Sequence, residues 1–334
     1  MKSPVLIDWL TFTVLDAEGP DAVIKDYLKM DPGLFAPGAG YVRGYYQCKA
    51  YGNISVGHGP FGFAKGVCVS MSGQGCRQFE QTGGVLLPEQ GKDSLVERLH
   101  ISENVNVTRI DLAADDMAGK LDMALIAAKV HSAEVRSRLT TYSVTSSKAR
   151  GFAGAIATTA YVGAKSSDLR FRIYDKAKEH YDPLKDKEGF NNPWVRVEMV
   201  CKGDYAESVV GHLCNDETAA GCFGRLIRGH LDFIEKDDKN ISRCTVSAFW
   251  QEFLETLEKA LIHSRPEKPG QFAQKREWFF AQLGAVAAML MDGMGPQFWT
   301  ELRKSRKRMT RQQETLLASW LSSQCGQQGE TYTG

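Results

Sequence analysis

The sequence predicts an α+β protein, with an antiparallel sheet core and flanking helices, followed by a helical C-terminal region. Three observations carry this. Short segments alternating apolar and polar residues recur through the first two hundred positions, and a period of two belongs to half-buried strands. Helix-length segments punctuated by Gly and Pro lie between them. After Lys202 the apolar spacing changes to that of a helix, as in Trp250, Phe253, Leu254, Leu257 and Leu261.

Taken in order, Leu6–Val14 alternates as a strand, and Gly19-Pro20 opens a helix over Asp21–Lys29 that ends near Pro32. Tyr41–Tyr51, Ile54–Gly57 and Gly66–Ser72 read as strands separated by glycine-rich turns. Helices over about Gln74–Gln81 and Ser94–His100 follow. The next hundred residues repeat this flavour: a strand at 106–114, a helix at 120–131, strands near 139–146 and 156–163, then strands over 168–176 and 194–200. Lys178–Asn192, charged and broken by Pro183 and Gly189, reads as a loop. Arg265 to Gly270 splits the later helical region into two blocks. The expected organisation is an N-terminal α+β half (1–104), a second α+β half (105–202), a helical region (203–323) and a polar tail (324–334). No close repeat links the halves, although their pattern allows two related units.

Composition bounds the function. At 334 residues, 43% hydrophobic and 24% charged, the chain resembles an ordinary soluble protein that buries a core. A net charge of +1 means that any nucleic-acid site must be a local basic patch. Eight cysteines without a CxxC pair favour a reduced, cytoplasmic setting over a disulfide framework. No charged segment followed by an apolar run opens the chain, so no signal peptide is expected. Leu283–Met291, the longest apolar stretch, is far too short to span a bilayer, and no membrane partner is expected.

Three strands carry the chemistry. Residues 168–176 put Leu169, Phe171 and Ile173 on one face and Arg170, Arg172, Tyr174 and Lys176 on the other. Cations grip phosphates, and a positioned tyrosine hydroxyl is a candidate nucleophile. In residues 107–116, Arg109, Asp111 and Asp115 share a face, opposite Thr108, Ile110, Leu112 and Ala114. In residues 194–200, Arg196 and Glu198 oppose Val195, Val197 and Met199. If these strands are neighbours, Asp111, Glu198, Tyr174, Lys176 and Arg196 converge. Two carboxylates and water suit Mg²⁺ or Mn²⁺, which prefer oxygen ligands. The same charges would also serve as cross-strand ion pairs that only stabilise a sheet.

Other motifs fall away. Gly57 to Gly62 matches GxGxxG in form but contains Pro60 and runs into strand-like sequence, whereas a dinucleotide turn must open a helix. There is no P-loop, no GxSxG, no HxH and no HExxH. Arg303, Lys304, Arg306, Lys307, Arg308 and Arg311 form a dense basic run suited to DNA phosphates, or else a solvated helix face.

Six blocks resemble the replication initiation factors of phages and plasmids, tyrosine-dependent rolling-circle initiators without the two-histidine motif. They are Ile7–Thr13, Ser70–Arg77, Thr108–Ala113, Thr159–Gly163, Arg172–Glu179 and Val195–Glu198, in the family's order and with a flavour closer to filamentous-phage initiators than to plasmid ones. The resemblance implies that Tyr174 attacks a backbone phosphate of single-stranded or extruded origin DNA, becomes linked to the 5′ side and leaves a 3′-OH for a polymerase. It implies that Asp111 and Glu198 bind the divalent metal, and it places Lys176 and Glu179 in the same block. A host helicase and polymerase and a homodimer are the partners it suggests. A relaxase of a mobile element would use the same chemistry. A tyrosine of pKa about 10 needs activation at neutral pH, which a lysine and a metal supply, while Arg172 and Arg196 on that face would hold the phosphate in line. The alternatives in other classes are a DNA-binding regulator that does not cut and a structural protein with ion-paired strands.

Overall fold

The computed structural model describes residues 5–62, 64–147, 157–178, 193–215, 218–259, 270–309 and 317. The first half contains β1 (Val5–Val14), α1 (Pro20–Asp26), β2 (Ala36–Pro37), β3 (Tyr45–Tyr51), β4 (Ile54–Pro60), β5 (Val67–Ser72), α2 (Gly73–Gln81) and α3 (Leu95–Ile101). The second contains β6 (Val105–Asp116), α4 (Met123–His131), β7 (Val135–Arg136), β8 (Tyr142–Ser147), β9 (Ala157–Val162), β10 (Leu169–Asp175), β11 (Val195–Lys202) and α5 (Asp204–Asn215). Then come α6 (Ala219–His230), β12 (Asp232–Phe233), α7 (Ala248–Lys259), α8 (Gly270–Met294) and α9 (Pro296–Ser305).

Ten strands form one antiparallel sheet in the order β2-β3-β4-β5-β1-β6-β11-β10-β9-β8. The opening strands of the halves, β1 and β6, pair at its centre. Each half runs out to an edge and meanders back, so that β5 and β11 flank β1 and β6. The α+β expectation holds, and the two halves share this plan.

One face of the sheet is apolar. Ile7, Leu10 and Phe12 of β1, Ile110 and Leu112 of β6, Phe171 and Ile173 of β10, and Val197 and Met199 of β11 are buried there. They belong to a single core with Ile24, Phe79, Leu99, Ile126, Val209, Phe223 and Trp250 from α1 through α7. Burying each such side chain contributes roughly 1.5–3 kcal/mol, which fixes the helices to this face and leaves polar side chains on the other. Among the described residues, no helix is long and apolar enough to cross a membrane.

Several expected elements differ in detail. The strand expected from Tyr41 begins at Tyr45, because Gly40 and Gly44 adopt left-handed backbone (φ 78 and 92) and turn the chain before it. The helix expected from residue 120 begins at Met123. Asp116 accepts from the Ala118 and Leu121 amides at 3.0 and 2.7 Å, holding a turn, and Asp122 caps the helix through the Ala124 amide at 2.8 Å. The region after residue 203 is not uniformly helical. β12 pairs with β7, and Arg136 locks the pair through Asp232 Oδ2 at 2.7 Å.

Candidate active site

The polar face of β1, β6, β11 and β10 assembles the site. Glu198 lies beside Arg172 in register, Tyr174 beside Arg196, and Asp111 beside Val200 on one side and Trp9 on the other. A bulge in β1 adds a further acid. Ile7 pairs with Leu112 and Trp9 with Asp111, so Asp8 is an extra residue between them. Ile7 and Leu10 both point into the core, and the bulge turns Asp8 and Trp9 together to the polar face. Asp8, Asp111 and Glu198 therefore come from neighbouring central strands.

The Tyr174 hydroxyl donates to Glu198 Oε1 at 3.1 Å. Arg172 Cζ and Lys176 Nζ lie 5.3 and 5.6 Å from the tyrosine ring centroid, within cation–π reach. Arg172 Nη2 approaches Glu198 Oε2 at 2.5 Å but is too misaligned to count as a hydrogen bond, so that oxygen is buried without an aligned donor. Burial pushes the Glu198 carboxyl up to about 8, reinforced by its link to the Asp8 carboxyl and opposed by Arg172. For Asp8, burial again disfavours the charge, yet Glu198, Arg196 and Lys176 outweigh it and hold the group below its ordinary value. The pair therefore favours its charge on Asp8 and its proton on Glu198. Burial also raises Asp111, against the opposing pull of Arg109, whose guanidinium donates to both its oxygens at 2.9 and 2.6 Å.

The structure brings Tyr174, Arg172, Lys176, Asp111 and Glu198 onto one face, as the strand pattern predicts. Arg196 is there too, but its partners are acids. It donates to both Asp115 oxygens at 2.6 and 2.7 Å and to Asp8 Oδ1 at 2.8 Å, and it is only 5% exposed. Its guanidinium positions Asp8 and Asp115. Arg303, Lys304, Arg306 and Lys307 are exposed in and just after α9, with Lys304 paired to Glu301 at 2.6 Å. The Arg308 side chain and Arg311 lie outside the described residues, as do Glu179, most of the loop 178–192 and the tail 324–334.

The donor chemistry suits a hard divalent cation. Asp8, Asp111 and Glu198 are oxygen donors on three adjacent strands whose charges act on one another, with Arg172 Nη2 already 2.5 Å from Glu198 Oε2. Among the described residues, however, no group of three acidic, His or Cys side chains is already drawn together as a metal cage. Arg109 and Arg172 occupy the positions beside Asp111 and Glu198. Asp8 was not singled out by strand alternation, since the bulge breaks that alternation. The break itself is the signal: Ile7 and Leu10 are both apolar, three residues apart, in a strand of period two.

Residues 105–305 match the family described as replication initiation factor, and residues 4–91 match the rolling circle replication initiation protein N-terminal domain. The curated putative DNA relaxase NicK of Bacillus subtilis (strain 168) is 24% identical over 283 residues, covering 81% of this chain and 76% of its own. The solved structure of a rolling circle replication initiator protein from Geobacillus stearothermophilus is similar with a TM-score of 0.64 and 27% identity. That match covers 76% of this chain and 96% of the other.

Proposed function

The chain belongs to the replication initiation factor family, and from that premise we propose that it nicks and rejoins origin DNA through Tyr174 to start rolling-circle replication. The observation that carries the assignment is the Tyr174 hydroxyl donating to Glu198 in a patch of acids, with Arg172 and Lys176 against its ring. Tyr174 Oη forms a bond to phosphorus as the bond from phosphorus to O3′ breaks, and the 3′-oxygen leaves as a hydroxyl. The tyrosine proton passes through Glu198 Oε1 to the Asp8–Glu198 pair, which shares one proton between two carboxyls and can take a second, and the pair returns a proton to the leaving 3′-oxygen. Arg172, with a side chain 36% exposed, is the cation able to turn toward the phosphate. Resealing is the reverse reaction and needs no ATP, because the phosphotyrosine stores the cleaved bond.

Asp8, Asp111 and Glu198 would hold one Mg²⁺ or Mn²⁺, which when bound polarises the phosphate and offsets the charge building on its oxygens. The relaxase relative favours a second reading, transfer of a mobile element, by the same chemistry.

The test is to incubate the protein with single-stranded origin DNA and Mn²⁺ and look for a covalent adduct on a denaturing gel. Peptide mapping should place the DNA on Tyr174, and Tyr174→Phe should retain DNA binding but form no adduct. DNA mapped to Tyr161 or Tyr181 would reassign the nucleophile.

A further inference from the structure

A cavity of about 480 Å³ lies on the same polar face, over the N-terminal half, within the size range of small-ligand sites of roughly 300–1,000 Å³. We propose that it takes an unpaired base of the single strand cleaved at Tyr174, an inference that rests on the nicking function above.

Its walls are aromatic. Trp9 borders it from β1, Tyr45 from the start of β3, and Tyr41 from the preceding turn. Tyr45 is held in place: its hydroxyl donates to the Lys65 carbonyl at 2.7 Å, and its ring covers Gly57, where a Cβ would meet Tyr45 Cγ at 2.9 Å. Tyr41 is 77% exposed, a large ring left in water beside an open cavity. Every base has a face that such a ring can stack on, whatever its sequence.

The floor is built from hydroxyls. Thr11 and Thr13 of β1 and Ser70 of β5 face the cavity, with Thr11 and Ser70 oxygens 3.2 Å apart. Each hydroxyl has one donor and two acceptor positions; Thr11 uses one of them to accept from Trp9 Nε1 at 2.8 Å, and those that remain suit the mixed polar edge of a base. No carboxylate is among the lining residues, and Arg43 is one of them. That separates this surface from the acidic patch beside it, which repels phosphate unless a cation is present.

The two places are joined through Trp9. Its ring borders the cavity and also carries the Arg109 guanidinium 4.2 Å from its centroid, and Arg109 holds Asp111. A strand with its phosphate at Tyr174 can therefore continue over the Trp9–Arg109 stack and place a neighbouring base between Tyr41 and the hydroxyl floor.

The experiment measures affinity without chemistry. Fluorescence anisotropy in EDTA would compare a twelve-nucleotide oligo(dT) with an abasic strand of the same length, for the full chain and for Tyr41→Ala and Tyr41→Phe. Tyr41 is exposed enough for both variants to fold, which circular dichroism confirms independently. The parent should prefer oligo(dT) by roughly tenfold, equivalent to about 1.4 kcal/mol, within the range for a stacked base. Tyr41→Ala should abolish that preference and Tyr41→Phe should keep it, while abasic affinity stays constant in all three proteins. A parent without the preference, a Tyr41→Ala variant that retains it, or a Tyr41→Phe variant that loses it would overturn the base pocket. None of these outcomes bears on the site of the covalent adduct, so the two readings fail separately.

Discussion

Arg196→Met removes a cation that is 5% exposed while keeping much of the side chain's length and apolar stem. Three charge-assisted hydrogen bonds disappear, two to Asp115 and one to Asp8. Breaking a buried pair by removing one partner costs about 3–5 kcal/mol, because the other charge stays behind. The Asp8 and Asp115 side chains keep 17% and 19% exposure, so the lower end, about 3 kcal/mol, is expected at pH 7. The pH dependence follows from direction. In the parent, Asp8 titrates below its ordinary value, so its stabilisation is present above the unfolded pKa and lost as pH falls through the folded one. In the variant, Asp8 loses the cation that favours its charge, its folded pKa rises, and protonation relieves the fold as pH drops. The deficit should therefore be largest at pH 7 and shrink by pH 5. Urea unfolding followed by far-ultraviolet circular dichroism at both pH values measures it, and Arg196→Met/Asp115→Asn should recover part of the loss. A variant within about 0.5 kcal/mol of the parent at pH 7, or a deficit unchanged at pH 5, would refute Arg196 as the counter-charge of this patch.

Three more outcomes are expected. Asp8→Asn should slow adduct formation by about 100-fold or more, as for a missing acid–base group, and EDTA should stop it until Mn²⁺ is restored; adduct formation undiminished in EDTA would make Asp111 and Glu198 structural. Lys129, 4% exposed, bonds Glu134, Glu235 and the Ile234 carbonyl at 2.9, 3.0 and 2.8 Å. Lys129→Met should cost about 1–3 kcal/mol by leaving that carbonyl without its donor, and an unaltered melting temperature would show that the network adds nothing. Changing Arg303, Arg306 and Lys307 to Gln should flatten the slope of log K against log salt by roughly 0.7–0.9 for each phosphate no longer neutralised while sparing nicking of a short oligonucleotide; an unchanged slope would mark a solvated helix face.

Strand chemistry was legible because alternation is a local property. Leu169 to Tyr174 and Val195 to Glu198 each declare a greasy and a charged side within a few residues, and the sheet keeps that division. Partnership was not legible, since it depends on which strands lie side by side and in what register. Arg196 reads the same in sequence whether it meets a phosphate or Asp115, and only the pairing of β11 with β6 decides. Asp8 was hidden for a different reason: a single inserted residue inverts the pattern midway along β1. The interrupted helical region shows the same limit, because β12 exists only through its distant partner β7.

The seam between β1 and β6 has a further consequence. Asp8 stands on the first half, whereas Asp111, Tyr174 and Glu198 stand on the second. On the proposed chemistry neither half is sufficient, and a fragment cut between them is expected to form no adduct. Under that proposal, pairing of β1 with β6 would act as a licence, since a chain with only one half folded would lack part of the nicking site.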